Sequence, residues 1–169
     1  IGTKPSGDGN GFVDGTDDSG GTAGDDSNDD GVASFPLLTD VTTTYSLTVS
    51  ATSINGNASN LIGWIDFDGD GVFQSDEASN VATVSSGSFE SDTTLTWNNI
   101  GGSGPDIALG DTFIRLRITN SAITSSNTGG YFATGEVEDH PISVTDGVPP
   151  VVATTSAPTA TAANQATYP

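Results

Sequence analysis

Asp66, Asp68 and Asp70 alternate with Phe67 and Gly69, Gly71 follows directly, and the stretch closes at Glu77. Carboxylates are hard oxygen donors, and three of them at every second position of a tightly turning backbone converge on one point. Gly71 stands where such a loop needs its sharpest turn, Val72 offers a backbone carbonyl, and Glu77 can close the site with two oxygens. With Gln74 these residues form the candidate ligand set for a calcium ion (Ca2+): Asp66, Asp68, Asp70, Val72, Gln74 and Glu77. Val72 and Phe73 are expected to anchor the loop in a core. Upstream, Leu61-Ile62-Gly63-Trp64-Ile65 is apolar throughout and reads as a buried strand, not a helix. A calcium loop set between strands has no helix pair to open, so it reads as a rigidifying staple and not as a switch.

The elements that must position this loop belong to an acidic chain. Three basic residues stand against twenty-two acidic ones, a net charge of −19 over 169 residues. Nucleic acid and anionic membrane surfaces are excluded as partners, because the basic patch they require is missing. Sixteen of the acids fall in three short segments: eight within residues 1–30, five within Asp66–Glu77, and Glu136, Glu138 and Asp139. Carboxylates so clustered repel one another in a compact state unless cations neutralise them. There is no cysteine, hence no disulfide framework or thiolate chemistry. No apolar run approaches the ~20 residues that span a bilayer, so no membrane insertion is expected. The chain has no Met and begins at Ile1, which reads as a processed protein or a portion of a longer one.

Residues 1–30 show no apolar periodicity. Asp26, Asn28 and Asp30, followed by Gly31, repeat the first half of a calcium loop without a closing glutamate, and this segment is expected to dock through calcium. From Gly31 the text becomes β. Strands are expected at 32–35, 43–50, 60–65, 81–84, 93–97, 113–119 and 136–144, separated by Gly, Ser, Asn and Pro turns. About seven short strands without a convincing helix read as an all-β, antiparallel β-sandwich over residues 31–146. Trp64 shares a strand face with Ile62, and Trp97 with Leu95. Both are expected in cores and not as sugar-stacking platforms.

Glu136 and Glu138 sit two apart in the last strand, as Arg115 and Arg117 do in the strand before it. Residues two apart share a face. Two readings stay open: the arginines pair with the glutamates, or Glu136, Glu138 and Asp139 help ligate a calcium ion held by the N-terminal aspartates. His140 is the only histidine, no nucleophile-elbow motif is present, and no zinc-ligand set exists. An enzyme is therefore not expected.

The run Gly135-Glu136-Val137-Glu138-Asp139, the preceding Arg115 and Arg117, the Trp64-to-Gly71 loop and Asp29-Asp30-Gly31-Val32 together resemble the GEVED-type domains, with an EF-hand-like calcium loop. His140 stands where that family usually carries tyrosine. The resemblance covers roughly residues 25–146. It implies a β-sandwich module of secreted bacterial surface proteins, adhesins and some secreted hydrolases, and hence an extracellular or cell-surface location.

Beyond Asp146 the chain has no charge, and Val151 to Thr155 is β-branched. Residues 147–169 read as a Pro/Thr/Ala tail or linker that can add a strand to a neighbouring copy. The expected function is a calcium-stabilised structural module of an adhesin or filament, whose partners are other copies or adjacent modules. The alternatives are a lectin-like or matrix-binding module with a glycan or matrix ligand, using residues 120–135, and an accessory domain of a secreted hydrolase.

Overall fold

The computed structural model describes residues 31–53, 56–148 and 150–151. The described strands are β1 (Leu38–Thr39), β2 (Thr44–Ser53), β3 (Ser59–Ile65), β4 (Ala82–Val84), β5 (Ser88–Asn98), β6 (Gly110–Thr119) and β7 (Glu136–Thr145). Five of them form one sheet in the order β1-β7-β6-β3-β4, while β2 and β5 form a second. Neighbours are antiparallel except for the two-residue β1, which runs parallel to β7. The all-β sandwich expected from the alternating pattern is the fold observed.

Between the sheets lies the main core. Tyr45, Leu47, Val49 and Ala51 alternate inward along β2, and Tyr45 and Leu47 stand directly opposite Trp97 and Leu95 on β5. They meet Leu61 and Ile65 of β3 and Ile114, Leu116 and Ile118 of β6. Each of the larger side chains contributes about 1.5–3 kcal/mol by leaving water. Strand β3 is apolar on both faces because both are covered. Ile62 and Trp64 point to the outer face of the five-stranded sheet, where they form a second cluster with Phe73 and Ile123. Both tryptophans are thus core residues, as their strand faces predict.

Two elements differ from expectation. Residues 32–35 are not a strand: Val32 and Phe35 pack against the main core, and just before them Gly31 O accepts from Ser50 N–H of β2. Pro36 lacks a donor and restricts the residue before it, so the ladder starts only after it, at β1. Strand β5 begins at Ser88, not at Thr93. Ser88, Glu90, Ser91 and Asp92 are polar and Phe89 is exposed, so no buried alternation marks this end; cross-strand pairing with Ser53, Ala51 and Ser50 of β2 extends it.

Candidate metal centre

The Asp66–Glu77 loop joins the end of β3 to the segment leading into β4, and it is pinned on both limbs. On the incoming side, Asp66 N–H donates to Phe113 O at 3.1 Å, and Thr112 Oγ1 donates to Asp66 O at 2.5 Å. On the outgoing side Ser75–Glu77 forms one 3₁₀ turn, and Trp97 Nε1 donates to Glu77 O at 2.8 Å. Two aromatic residues fasten the loop to opposite faces of the sheet. Phe67 enters the main core and Phe73 the outer cluster. The anchor predicted for Phe73 is observed; Val72 is instead 55 % exposed. Phe67 was legible as an apolar residue inside the motif and was missed because the carboxylates dominate it. Gly71 has φ +83°, the left-handed conformation its motif position demands.

Carboxylate oxygens of Asp66, Asp68 and Asp70 all lie within 4.8 Å of one another. Two oxygens on opposite sides of a calcium ion are separated by about 4.6–5.2 Å, twice the usual Ca–O distance, so this spacing fits the ion. Asp66 is buried, whereas Asp68 and Asp70 are exposed. Backbone amides organise the group: Asp70 N–H donates to both Asp66 Oδ1 and Asp68 Oδ1 at 3.1 Å, and Gly71 N–H to Asp66 Oδ2 at 3.0 Å. Val72 N–H and Gln74 Nε2 donate to the two oxygens of Asp70, each at 2.8 Å. Gln74 Oε1 is buried and has no hydrogen-bond partner.

Glu77 is placed differently from the three aspartates. It is 1 % exposed, and its oxygens accept from Phe67 N–H at 2.7 Å and Gln74 N–H at 2.9 Å, which ties the two limbs of the loop together. Burial pushes its carboxyl up to about 7, with Asp66 and Asp68 adding to the rise and the two amides opposing it. Burial likewise raises Asp66 above the ordinary carboxylate range. Among the described residues no cationic side chain is bonded to these groups, and amide dipoles supply their local counter-charge. The donor set is all oxygen, partly buried and electrically uncompensated, which fits a hard divalent cation. Asp68, Gln74, Asp76 and Glu77 also line a cleft of roughly 290 Å³ with Gly104, Pro105 and Asp106, a wall that the sequence did not reveal.

The GEVED run is organised by a different rule. Strands β6 and β7 are neighbours, as the matching spacings require, but the glutamates and arginines fall on opposite faces. Arg115 stands opposite Asp139, and Leu116 opposite Glu138. Arg115 Nε and Nη2 therefore donate to the two oxygens of Asp139 at 2.8 and 2.6 Å, with both residues buried. Arg115 therefore pairs with Asp139, whereas the spacing suggested pairing with the glutamates, which fall on the other face. Arg117 instead donates to the carbonyls of Asn127, Gly129 and Gly130. Burial and the neighbouring Arg115 lower its guanidinium to about 10. Glu138 lies on the inner face, with Oε2 3.3 Å from His140 Nε2, and Glu136 shares that face by strand alternation. Gly135, which leads into the run, has φ +120°, and a Cβ there would lie 1.8 Å from Ile118 O. Asp26, Asn28 and Asp30 lie outside the described residues.

The segment joining β6 and β7 covers the outer face. Besides the Arg117 contacts, Arg115 Nη1 donates to Thr128 O at 2.9 Å and Trp64 Nε1 to Ser125 O at 2.8 Å. The Arg117 guanidinium carbon sits 4.4 Å from the centre of the Phe132 ring. Buried arginines thus serve as donors to a loop that has no ladder of its own.

Neither a curated protein nor a solved structure matches this chain. Residues 60–143, from β3 into β7, match the family model of the GEVED domain. Arg115, Arg117, Asp139 and the Asp66–Glu77 loop all fall within that match, and the chain carries a GEVED domain there.

Proposed function

We propose that this chain is an extracellular, calcium-stiffened structural module of a bacterial surface adhesin or filament. The observation that carries the reading is the convergence of Asp66, Asp68 and Asp70 within 4.8 Å, on a loop whose aromatic anchors clamp both faces of one sheet. When bound, calcium supplies positive charge where the loop has only carboxylates and amide dipoles. Asp66, Asp68 and Asp70 would hold it, with Gln74 and Glu77 beside them. A dissociation constant of roughly 10⁻⁴ to 10⁻³ M, the extracellular grade, suits a permanent staple. The acidity of the chain and its uncharged terminal stretch support a surface location and association with other copies or adjacent modules. Among the described residues no helix is long and apolar enough to cross a membrane. Nothing in the described site assembles a nucleophile with a base, and the role proposed is not catalytic.

Thermal unfolding in millimolar calcium and in chelator tests the staple. Calcium is expected to raise the melting temperature of the natural chain and to lose most of that effect in Asp70→Ala. An unchanged response in the variant would overturn the assignment to this loop. Negative-stain imaging in calcium, with and without residues 147–169, tests assembly; dispersed monomers in both cases would remove the filament from the reading.

A second reading rests on Tyr131, 70 % exposed on the segment that the buried arginines hold. An aromatic side chain displayed on a braced loop suits stacking against a sugar ring, as in a lectin-like or matrix-binding module. A glycan array without hits would remove it.

A further inference from the structure

We infer that calcium at the Asp66–Glu77 loop sets the order of the 120–135 connection on the outer face of the sheet, through Phe73, Trp64 and Arg115. The inference rests on the calcium reading of that loop. Phe73 belongs to the metal loop by sequence but to the outer cluster by packing, where it is 6 % exposed beside Ile62, Trp64 and Ile123. The Arg115 guanidinium carbon lies 5.2 Å from the centre of the Phe73 ring. That same guanidinium holds Thr128 O, and the Trp64 indole holds Ser125 O. One aromatic side chain from the metal loop therefore forms part of the platform on which the connection rests.

The connection depends on this platform. Between Asn120 and Gly135 it contains no strand or helix. Its own turn is small, with Asn127 N–H donating to Thr124 O and Asn127 Oδ1 accepting from Thr124 N–H and Oγ1. Its first residues are held by β3, where Ser59 Oγ donates to Asn120 Oδ1 at 3.3 Å and Asn60 Nδ2 to Ser121 O at 2.9 Å. Its middle is tied to Trp64, Arg115 and Arg117, together with the packing of Ile123 and Phe132. Without a cation, the crowded carboxylates of Asp66, Asp68 and Asp70 repel one another and favour opening of the loop. Opening withdraws Phe73, and the cluster then loses contact area beneath Trp64 and Arg115. Ion binding reverses this, so a rigid metal loop and an ordered connection belong to the same state. By linkage, any ligand that binds only the ordered connection must raise calcium affinity by the same factor.

The chain carries its own pair of reporters. It has two tryptophans. The Trp97 indole donates to Glu77 O in the metal loop, and the Trp64 indole to Ser125 O in the connection. Calcium titrated into the ¹⁵N-labelled full chain, starting from chelator, is expected to shift both indole resonances along one curve and to slow amide exchange across 120–135. A shift at Trp97 with no change at Trp64 and none in exchange across 120–135 would overturn the coupling while leaving the calcium reading intact. No response at either indole would overturn both. In Phe73→Ala, and in the milder Phe73→Leu, Trp97 should still titrate while the calcium-dependent slowing across 120–135 is reduced or lost. Full slowing in both variants would contradict the role of Phe73.

Discussion

Two acidic stretches of this sandwich, Asp66–Glu77 and Glu136–Asp139, have similar composition and opposite physics. In the second, Asp139 meets a buried arginine in a two-point contact, so its charge is compensated within the chain. In the first, the carboxylates face one another and are held by amides, with a cationic side chain nowhere among their described partners. The difference shows that an acidic cluster calls for an external ion only where the fold withholds an internal one. It also explains why the chain's few basic residues matter: two of the three, Arg115 and Arg117, are spent on the outer face of the sheet.

Breaking the compensated region should produce the largest effect. Asp139→Ala leaves Arg115 buried without the carboxylate that its Nε and Nη2 bind, and is expected to cost about 3–5 kcal/mol, with or without calcium. Urea unfolding of the variant in both conditions checks it; a small loss would mean that the pair contributes little. Pairing the change with Arg115→Met should recover much of the stability, since removing both charges removes the desolvation problem.

The uncompensated region should respond to the ion instead. At calcium about a hundredfold above the dissociation constant, the native chain should gain about 2.7 kcal/mol over its chelated form, readable as a shift of the urea midpoint. A gain that persists in Asp70→Ala would assign the effect elsewhere. Next in size is Arg117→Lys, which loses the planar fork shared among Asn127, Gly129 and Gly130. About 1–3 kcal/mol should be lost, and exchange should quicken in 125–131. The smallest effect belongs to the exposed neighbour of the buried anchor: Val72→Ser should stay within about 0.5 kcal/mol of the natural chain, as surface positions do. A large loss there would show that the loop packs differently from the structure described.

Much of this contrast was legible in the sequence, and the limits have physical causes. Alternation placed Tyr45, Leu47 and Val49 inside and put Ile114, Leu116 and Ile118 opposite Arg115 and Arg117, because a period of two leaves no choice of face. The neighbouring of β6 and β7 followed from matching spacings. What failed was the register: whether Arg115 meets Glu138 or Asp139 turns on a one-residue offset, and that offset flips every side chain to the other face. Residues 32–35 looked like a strand because their side chains are apolar. They do pack inward, but Pro36 denies them a ladder. At the Asp66–Glu77 loop the motif gave the aspartates, the turn at Gly71 and the buried Phe73. It did not give the anchoring of Phe67, the Thr112 hydroxyl on Asp66, or the wall formed by Gly104 to Asp106, since each depends on segments distant in sequence.

Calcium-binding stoichiometry, measured by titration calorimetry on the full chain and on a variant combining Asp68→Ala with Asp70→Ala, tests the central claim most directly. Both side chains are exposed, so their removal spares the cores. The variant should bind one fewer ion than the natural chain, whatever other sites the chain contains. An unchanged number of ions with unchanged affinity would contradict the claim.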